Sequence, residues 1–368
     1  MSGVLTLNAG SSSLKYGLFE IGDEGLLEIW RGQIEGPAAL EGLIEECEAR
    51  ADGLAAVAHR MVHGGADFTG PEAVSDALLE ALQALCPLAP LHQPAGLAVV
   101  RAVAAVRPDL VQTVSFDTAF HHGHAAVVDR LALPRAFERA GVRRYGFHGL
   151  SYAHLAERLQ TLDARAAEGR TICAHLGAGA SLCALRAGRS VDTTMGFSAI
   201  DGLVMATRCG SLDPGVVLHL LQAHGLDAEA VQDLLYRHSG LLGVSGISGD
   251  MRVLLASSEP SAREAVELFA FRAAREASAL ACTLEGFDGL VFTGGVGENA
   301  APVRAMICEQ LAWLGVRLDP EANQAASGAC LVSRGDSRVR VWVIPADEER
   351  IIAREALSVV RPAPPGAG

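Results

Sequence analysis

Thirty residues of this chain are Lys or Arg, and only one of them, Lys15, is a lysine. It closes the segment Asn8-Ala9-Gly10-Ser11-Ser12-Ser13-Leu14-Lys15, which lies between the apolar runs Val4 to Leu7 and Leu18 to Ile21. Arginine is a rigid planar fork, whereas lysine is a compact charge on a flexible stem. A lysine kept against that bias marks a position suited to the compact ammonium. Small residues and hydroxyls in a turn between strands can aim N–H groups at an anion. The segment therefore reads as a phosphate site, with a polar hairpin turn carrying a surface lysine as the plainer alternative.

Two arginines stand in motif-like surroundings: Arg60 in Ala58-His59-Arg60-Met61-Val62-His63-Gly64-Gly65, and Arg208 in Met205-Ala206-Thr207-Arg208-Cys209-Gly210. Their forks suit bidentate capture of carboxylate or phosphoryl oxygens, although a surface ion pair is the commoner role for either one alone. His148, in Tyr145-Gly146-Phe147-His148-Gly149, is the best single candidate for a charge-stabilising donor. The cluster His121, His122 and His124 lacks the acidic or Cys partners of a metal site. Asp117 ends a β run in Val114-Ser115-Phe116-Asp117. A carboxylate there faces the ligand crevice of an α/β sheet and could hold Mg²⁺ or act as a base. Glu348 opens the last helical segment, where complementing the helix N-terminus is the simpler role.

Four Gly-rich or polar turns are expected after strands: Asn8–Ser13, Gly177–Ser181, Ser245–Asp250 and Gly294–Asn299. None contains the G-x-x-x-x-G-K-[ST] loop, and none fits the dinucleotide fingerprint. Each alone is a weak signal, but four in one chain strengthen one another.

The elements that must position these residues alternate. Strand candidates are Leu54–Val57, Leu110–Phe116, Leu290–Phe292 and Val339–Ile344. Helical patterns cover Asp76–Leu85, Gly96–Val106, Ser151–Leu162, Ala228–Tyr236, Ala262–Cys282, Ala301–Leu314 and Glu348–Val360. Alternation of this kind predicts α/β layers. The segments Val4–Leu14 and Thr171–Leu182 resemble each other at about half the chain length, which predicts a duplicated domain. At 368 residues the chain exceeds one ordinary core. The net charge of −13 disfavours nucleic acid or a membrane surface as partner. Eight scattered cysteines without a C-x-x-C pair argue for a reducing, cytoplasmic setting. Asn is scarce: Asn8, Asn299 and Asn323 are its three occurrences.

Taken in order, Asn8–Lys15, His59–Gly65, Leu88–Pro94, Phe116–His121, Arg144–Ser151, His175–Ser181, Asp192–Pro214, Ser245–Arg252, Phe292–Asn299 and Val343–Glu349 resemble the motifs of the acetate kinase family across almost the whole chain. The resemblance implies an α/β fold of two duplicated actin-like, ribonuclease H-like lobes with the ATP cleft between them. The first lobe would be residues 1–121 plus 349–368, the second 122–348. It also implies reversible, direct in-line transfer of the ATP γ-phosphoryl to acetate, giving acetyl phosphate and ADP. Mg²⁺ would serve as cofactor, with Mn²⁺ as a substitute, in a homodimer with a β-rich interface.

The roles this resemblance implies are specific. Asn8, Ser11, Ser13 and Lys15 contact phosphate, with Asn8 and Glu348 serving the metal. Arg60 and Arg208 bind the carboxylate and the transferring phosphoryl, and His148 bonds the phosphoryl in flight. Asp117 is catalytic, beside the carboxylate and metal. Val62, Leu91 and Phe147 wall the acyl pocket. His92 and His175 support, while Gly177, Gly179, Asp250, Met251, Arg252, Gly295, Val296, Gly297, Glu298 and Asn299 frame ATP. The sequence departs from the family pattern at three places. Ala178 replaces an Asn of the second phosphate loop, Ala199 replaces a Pro of the acyl pocket, and the stretch from Tyr16 to His59 is short. Alternatives are a propionate or butyrate kinase, and a non-catalytic nucleotide-binding scaffold.

Overall fold

The protein is represented by a computed structural model that describes residues 2–9, 14–22 and 25–360. The chain forms two compact units. One comprises Met1–His122, Phe147–His154 and Asp347–Gly368; the other comprises Gly123–Gly146 and Leu155–Ala346. The segment Phe147–His154 thus packs within the first unit, although it falls inside the 122–348 span expected for the second lobe.

The first unit is built on a six-stranded sheet. Its strands are β1 (Gly3–Ala9), β2 (Leu14–Gly22), β3 (Gly25–Ile34), β4 (Leu54–Met61), β5 (Glu72–Ala73) and β6 (Gln112–Phe116). They lie in the order β3-β2-β1-β4-β6-β5. β1, β2 and β3 form an antiparallel meander, β1, β4 and β6 run parallel, and β5 is antiparallel to β6. Successive strand residues point to opposite faces, and both faces of β1 are covered. On one, Leu5 and Leu7 meet Leu40, Ile44 and Cys47 of the helix Leu40–Arg50 and Val99 and Val103 of the helix Gln93–Val106. On the other, Val4 joins Phe19, Ala58 and the buried Ile351, Ile352 and Ala356 of the C-terminal helix Glu348–Val360. Burial on both faces explains why these strands read as plain apolar runs.

The second unit repeats this plan with β7 (Arg170–Leu176), β8 (Ala180–Arg186), β9 (Arg189–Thr193), β10 (Gly289–Thr293), β11 (Cys330–Leu331) and β12 (Arg340–Val343). Their order is β11-β12-β10-β7-β8-β9. Again a meander comes first, two parallel strands are added beside its first strand, and a two-residue antiparallel strand closes the edge. The β1–β2 and β7–β8 hairpins therefore occupy matching places, as the internal similarity predicts. The helix Pro260–Leu284 packs along β8, and Ala265, Phe269, Ala273 and Ala277 are among its buried residues.

Two local expectations need correction. Ser245–Asp250 follows the short helix Gly240–Ser245, not a strand, because Leu241-Leu242-Gly243-Val244 is too short for its period to distinguish the two. Gly294–Asn299 is itself a short helix directly after β10. The helices Leu40–Arg50 and Pro214–Gln222 were not expected. The first contains Gly42, and the second (PGVVLHLLQ) has no polar face to reveal a helical period. Asp213 caps it by accepting the Gly215 N–H at 2.8 Å.

Candidate active site

In the first unit the parallel strands β1, β4 and β6 end on one edge of the sheet, and each end carries a polar residue. Asn8 is the penultimate residue of β1, Arg60 the penultimate residue of β4, and Asp117 follows β6 directly. Register fixes this convergence, since Arg60 is paired with Ser115 and Met61 with Phe116. Carboxyl ends of parallel strands are where α/β sheets present ligand-binding groups.

Arg60 is the hub. Its Nε and Nη2 donate to Asp117 Oδ1 and Oδ2 at 2.9 and 2.6 Å. Its Nη1 donates to Asn8 Oδ1 at 3.0 Å and lies 3.8 Å from Glu348 Oε2. Asn8 Nδ2 in turn donates to Glu348 Oε2 at 3.1 Å and Glu349 Oε1 at 3.3 Å. The Arg60 and Glu348 side chains are 15% and 12% exposed, while Asp117 is 1% exposed. Burial opposes the charge on Arg60, but Asp117, Glu348 and Glu349 outweigh it and hold the guanidinium above its ordinary pKa. Burial likewise pushes the Asp117 carboxyl up, with Glu348 adding to the rise and Arg60 pulling against it. Three carboxylates around one guanidinium leave this edge with an excess of negative charge.

Asp117 also shapes the neighbouring turn. Its carboxylate accepts the His148 backbone N–H, and its carbonyl accepts the Gly149 N–H at 3.0 Å. His148 sits at φ 58°, a left-handed conformation that non-glycine residues rarely adopt. Residues held there cluster at functional positions. A Cβ on Gly149 would fall 2.1 Å from the Asp117 carbonyl oxygen, so only glycine fits. Phe147 is buried, and its ring stands edge-on to His63 at 5.6 Å. Its carbonyl is 2.9 Å from His121 Nε2. Gln93 clasps the His63 backbone, accepting its N–H at 3.1 Å and donating to its carbonyl at 2.9 Å. Val62 is buried after β4, while Leu91 and His92 are half-buried before the helix Gln93–Val106. Lys15 is exposed on β2, opposite Asn8 in the hairpin register. Ser11 and Ser13 lie outside the described residues.

The second unit holds its own set. His175 is paired with Thr293 across β7 and β10, and a Cβ on Gly177 would lie 3.8 Å from His175 Nε2 and 3.9 Å from the Gly295 nitrogen. The Gly177 N–H reaches the Gly179 carbonyl at 2.9 Å, and exposed Ala178 accepts the Ala206 N–H at 3.0 Å. That bond anchors the loop carrying half-buried Arg208, whose Nη1 donates to the Ala199 carbonyl at 2.6 Å. Gly294 has φ +77° and Leu176 O only 2.8 Å from its would-be Cβ. Gly295 and Asn299 are exposed, and Gly297 is buried. Glu298 instead turns its carboxylate onto the backbone, with Oε1 accepting from Gly294 and Ala346 at 3.0 Å each. Val296 is half-buried. Met251 is buried, and Arg252 forms a bidentate pair with Asp250 that holds this carboxyl down at about 2.

Sequence reasoning passed over Glu349, Gln93 and Arg304. Glu349 and Gln93 lay inside motifs already quoted, which was the available signal. Arg304 lay in a helical pattern and gave none.

The model of the acetokinase family matches residues 35–354. An acetate kinase of Rhodopseudomonas palustris is 49% identical over 95% of this chain and 96% of its own. The chain belongs to the acetokinase family. It is an acetate kinase enzyme, moving a phosphoryl group between ATP and acetate. The crystal structure of Porphyromonas gingivalis acetate kinase superposes with a TM-score of 0.87 at 34% identity, covering 98% of this chain and all of that one. The chain thus shares the mixed α/β fold of that relative, and builds it on two six-stranded sheets. A propionate kinase of Francisella tularensis superposes almost as well, with a TM-score of 0.86 at 32% identity over 96% of this chain and 99% of its own. Overall fold therefore does not choose the acid. Among the described residues no helix is long and apolar enough to cross a membrane.

Proposed function

We propose that transfer is direct and in line, and that Arg60, Asp117, Asn8, His148 and Glu348 form the acceptor and phosphoryl machinery of the first unit. The observation that carries this reading is the Arg60 fork, held by Asp117 and Asn8 at the strand ends. A carboxylate acceptor is already ionised at neutral pH, so no general base is needed. Catalysis then rests on positioning and charge neutralisation. Asp117, with both oxygens on Arg60, orients the fork in place of holding the metal. Arg60 binds the acceptor carboxylate and His148 donates to the phosphoryl. Val62, Leu91 and Phe147 exclude water from the methyl end. In the second unit Arg208 neutralises phosphoryl charge, and Gly177, Gly179, Asp250, Met251, Arg252 and Gly295 to Asn299 receive ATP with His175. Lys15, Ser11 and Ser13 serve its phosphates.

The excess negative charge at the strand ends suits a divalent cation. Mg²⁺ is commonly bound through one or two protein groups plus water and phosphate oxygens. Asn8 and Glu348, whose side chains meet at 3.1 Å at the ends of β1 and of the C-terminal helix, would hold it. When bound, Mg²⁺ neutralises charge on the phosphate oxygens.

Acetate is the preferred acid because Val62 and Phe147 keep their bulk. Propionate is the second reading, favoured by Ala199. The eight cysteines are free thiols, supporting a cytoplasmic setting, and the charge of −13 disfavours nucleic acid and membrane surfaces. A homodimer is supported by exposed apolar residues in the second unit, among them Val216 and Leu218 of the helix Pro214–Gln222.

The test traps acyl phosphate with hydroxylamine while ATP and acetate are supplied. Arg60→Ala and Arg208→Ala are each expected to lower turnover by about 10²–10³ without loss of fold. Turnover near wild type in either variant would reduce that residue to an ion-pair partner.

A further inference from the structure

Arg304 is one of the most deeply buried large side chains in the protein, 2% exposed. A buried guanidinium is costly unless paired, yet among the described residues no carboxylate pairs with it. Its partners are neutral oxygens. Nε donates to Asn323 Oδ1 at 2.7 Å, and Nη2 to the Asn323 carbonyl at 2.7 Å. Nη1 donates to the Gly297 and Glu298 carbonyls at 2.9 and 2.8 Å. Asn323, the scarce Asn outside any Gly-rich segment, completes the arrangement by donating to the Ala301 carbonyl at 3.0 Å.

The two carbonyls gripped by Nη1 lie in the last turn of the helix Gly294–Asn299, where intrahelical donors run out. A cation at that end also complements the helix dipole. At the other end Glu298 accepts the Gly294 N–H. This six-residue loop is too short to hold its shape by helix propensity alone. Its form is held from outside by one buried guanidinium and from within by the Glu298 carboxylate.

We infer that Arg304, seated on Asn323, is a positioning residue for nucleotide binding: it sets the backbone of Gly295–Asn299 without touching ATP. The inference rests on reading that loop as part of the ATP site. The fork matters more than the charge, because two adjacent carbonyls and two Asn323 oxygens must be reached at once, and an ammonium cannot span them.

The test uses the full-length enzyme with ATP and acetate varied separately, and thermal melts with and without ATP. Arg304→Lys and Asn323→Ala are each expected to raise the KM for ATP by about tenfold. The KM for acetate should stay within about twofold, and the ATP-induced rise in Tm should shrink. Asn323→Ala decides the matter if Arg304→Lys does not fold. An unchanged KM for ATP overturns the inference. So does a Tm loss in which both KM values rise in proportion, since that is the behaviour of a core staple. Gly295→Val separates the layers, because a Cβ at Gly295 meets nothing within 4 Å and projects into open space. If Gly295→Val leaves ATP binding intact, the loop is not a nucleotide site and both readings fall. If it weakens ATP binding while Arg304→Lys and Asn323→Ala do not, only the positioning role falls.

Discussion

The Asp117 carboxylate grips the Arg60 guanidinium through two parallel N–H···O bonds, 2.9 and 2.6 Å long, between strand ends 57 residues apart in sequence. A two-point hold fixes the plane of the fork, and with it the direction of Nη1 toward Asn8. The same carboxylate secures the His148 backbone in its left-handed turn. One buried acid thus sets the geometry of two candidate catalytic groups.

Asp117→Asn should therefore impair turnover more than its burial beneath Arg60 suggests. The amide cannot accept both donors of the fork, and it leaves the guanidinium partly uncompensated. We expect kcat to fall about 10²-fold or more, with a smaller change in the KM for ATP. Steady-state kinetics on a variant of unchanged Tm checks this. A kcat within a factor of about three of wild type would mean that Asn8 and Glu348 orient Arg60 unaided.

Acid should destabilise the first unit through two histidines. Burial pushes His59 and His63 each down to about 4 from the ordinary 6.5. Both stay neutral in the folded chain while the unfolded chain takes up protons below 6.5. Their contribution is fully present above pH 6.5 and is lost as pH falls toward 4, by about 3 kcal/mol each. Urea unfolding between pH 7 and 4.5 should show stability falling with pH, and His59→Gln should flatten the slope by roughly half. A flat wild-type profile would contradict the assignment of both groups as buried and neutral.

Much of this was legible beforehand for a physical reason. Strands buried on both faces read as apolar runs, and a polar residue interrupting such a run, such as Asn8, Arg60 or Asp117, marks a strand end. The duplicated hairpins share composition because they share topology. The pairing of Asp117 with Arg60 was not legible, because register between parallel strands is set by long-range packing and leaves no local pattern. His148's left-handed turn was hidden likewise, being imposed by Asp117. Arg304 escaped notice because its partners are mostly backbone carbonyls, which no sequence displays.

We propose that Ala199 bears on the choice of acid by two routes. It is buried, 7% exposed, and its carbonyl receives Arg208 Nη1 at 2.6 Å. A proline there would keep that carbonyl, add bulk and stiffen the chain. A methylene that fits gains at most about 0.8 kcal/mol, and homologues are commonly separated by about 10–200-fold. Competition kinetics should find acetate preferred, propionate within about tenfold in kcat/KM, and butyrate poor. Ala199→Pro should widen the gap between acetate and propionate. Butyrate outcompeting acetate would show that the pocket is open beyond what Val62 and Phe147 can close.

The helix Pro214–Gln222 is apolar in sequence yet buries none of its residues; Val216 is 39% and Leu218 53% exposed. In the same unit Val244, Ile247, Val253 and Phe271 are each 40% exposed or more. Apolar surface of this kind marks an interaction site where it is contiguous, and we propose a second copy of the chain as its occupant. Sedimentation should give twice the 38.4 kDa chain mass. Leu218→Glu places a carboxylate where desolvation would be costly. If the two-fold axis brings Leu218 near its own copy, like charges also meet. We expect the variant to weaken the dimer by at least about 100-fold, the equivalent of roughly 3 kcal/mol. It should sediment as a monomer at micromolar concentration while keeping its far-UV circular dichroism. A wild-type monomer, or a Leu218→Glu dimer of unchanged affinity, would place the contact elsewhere.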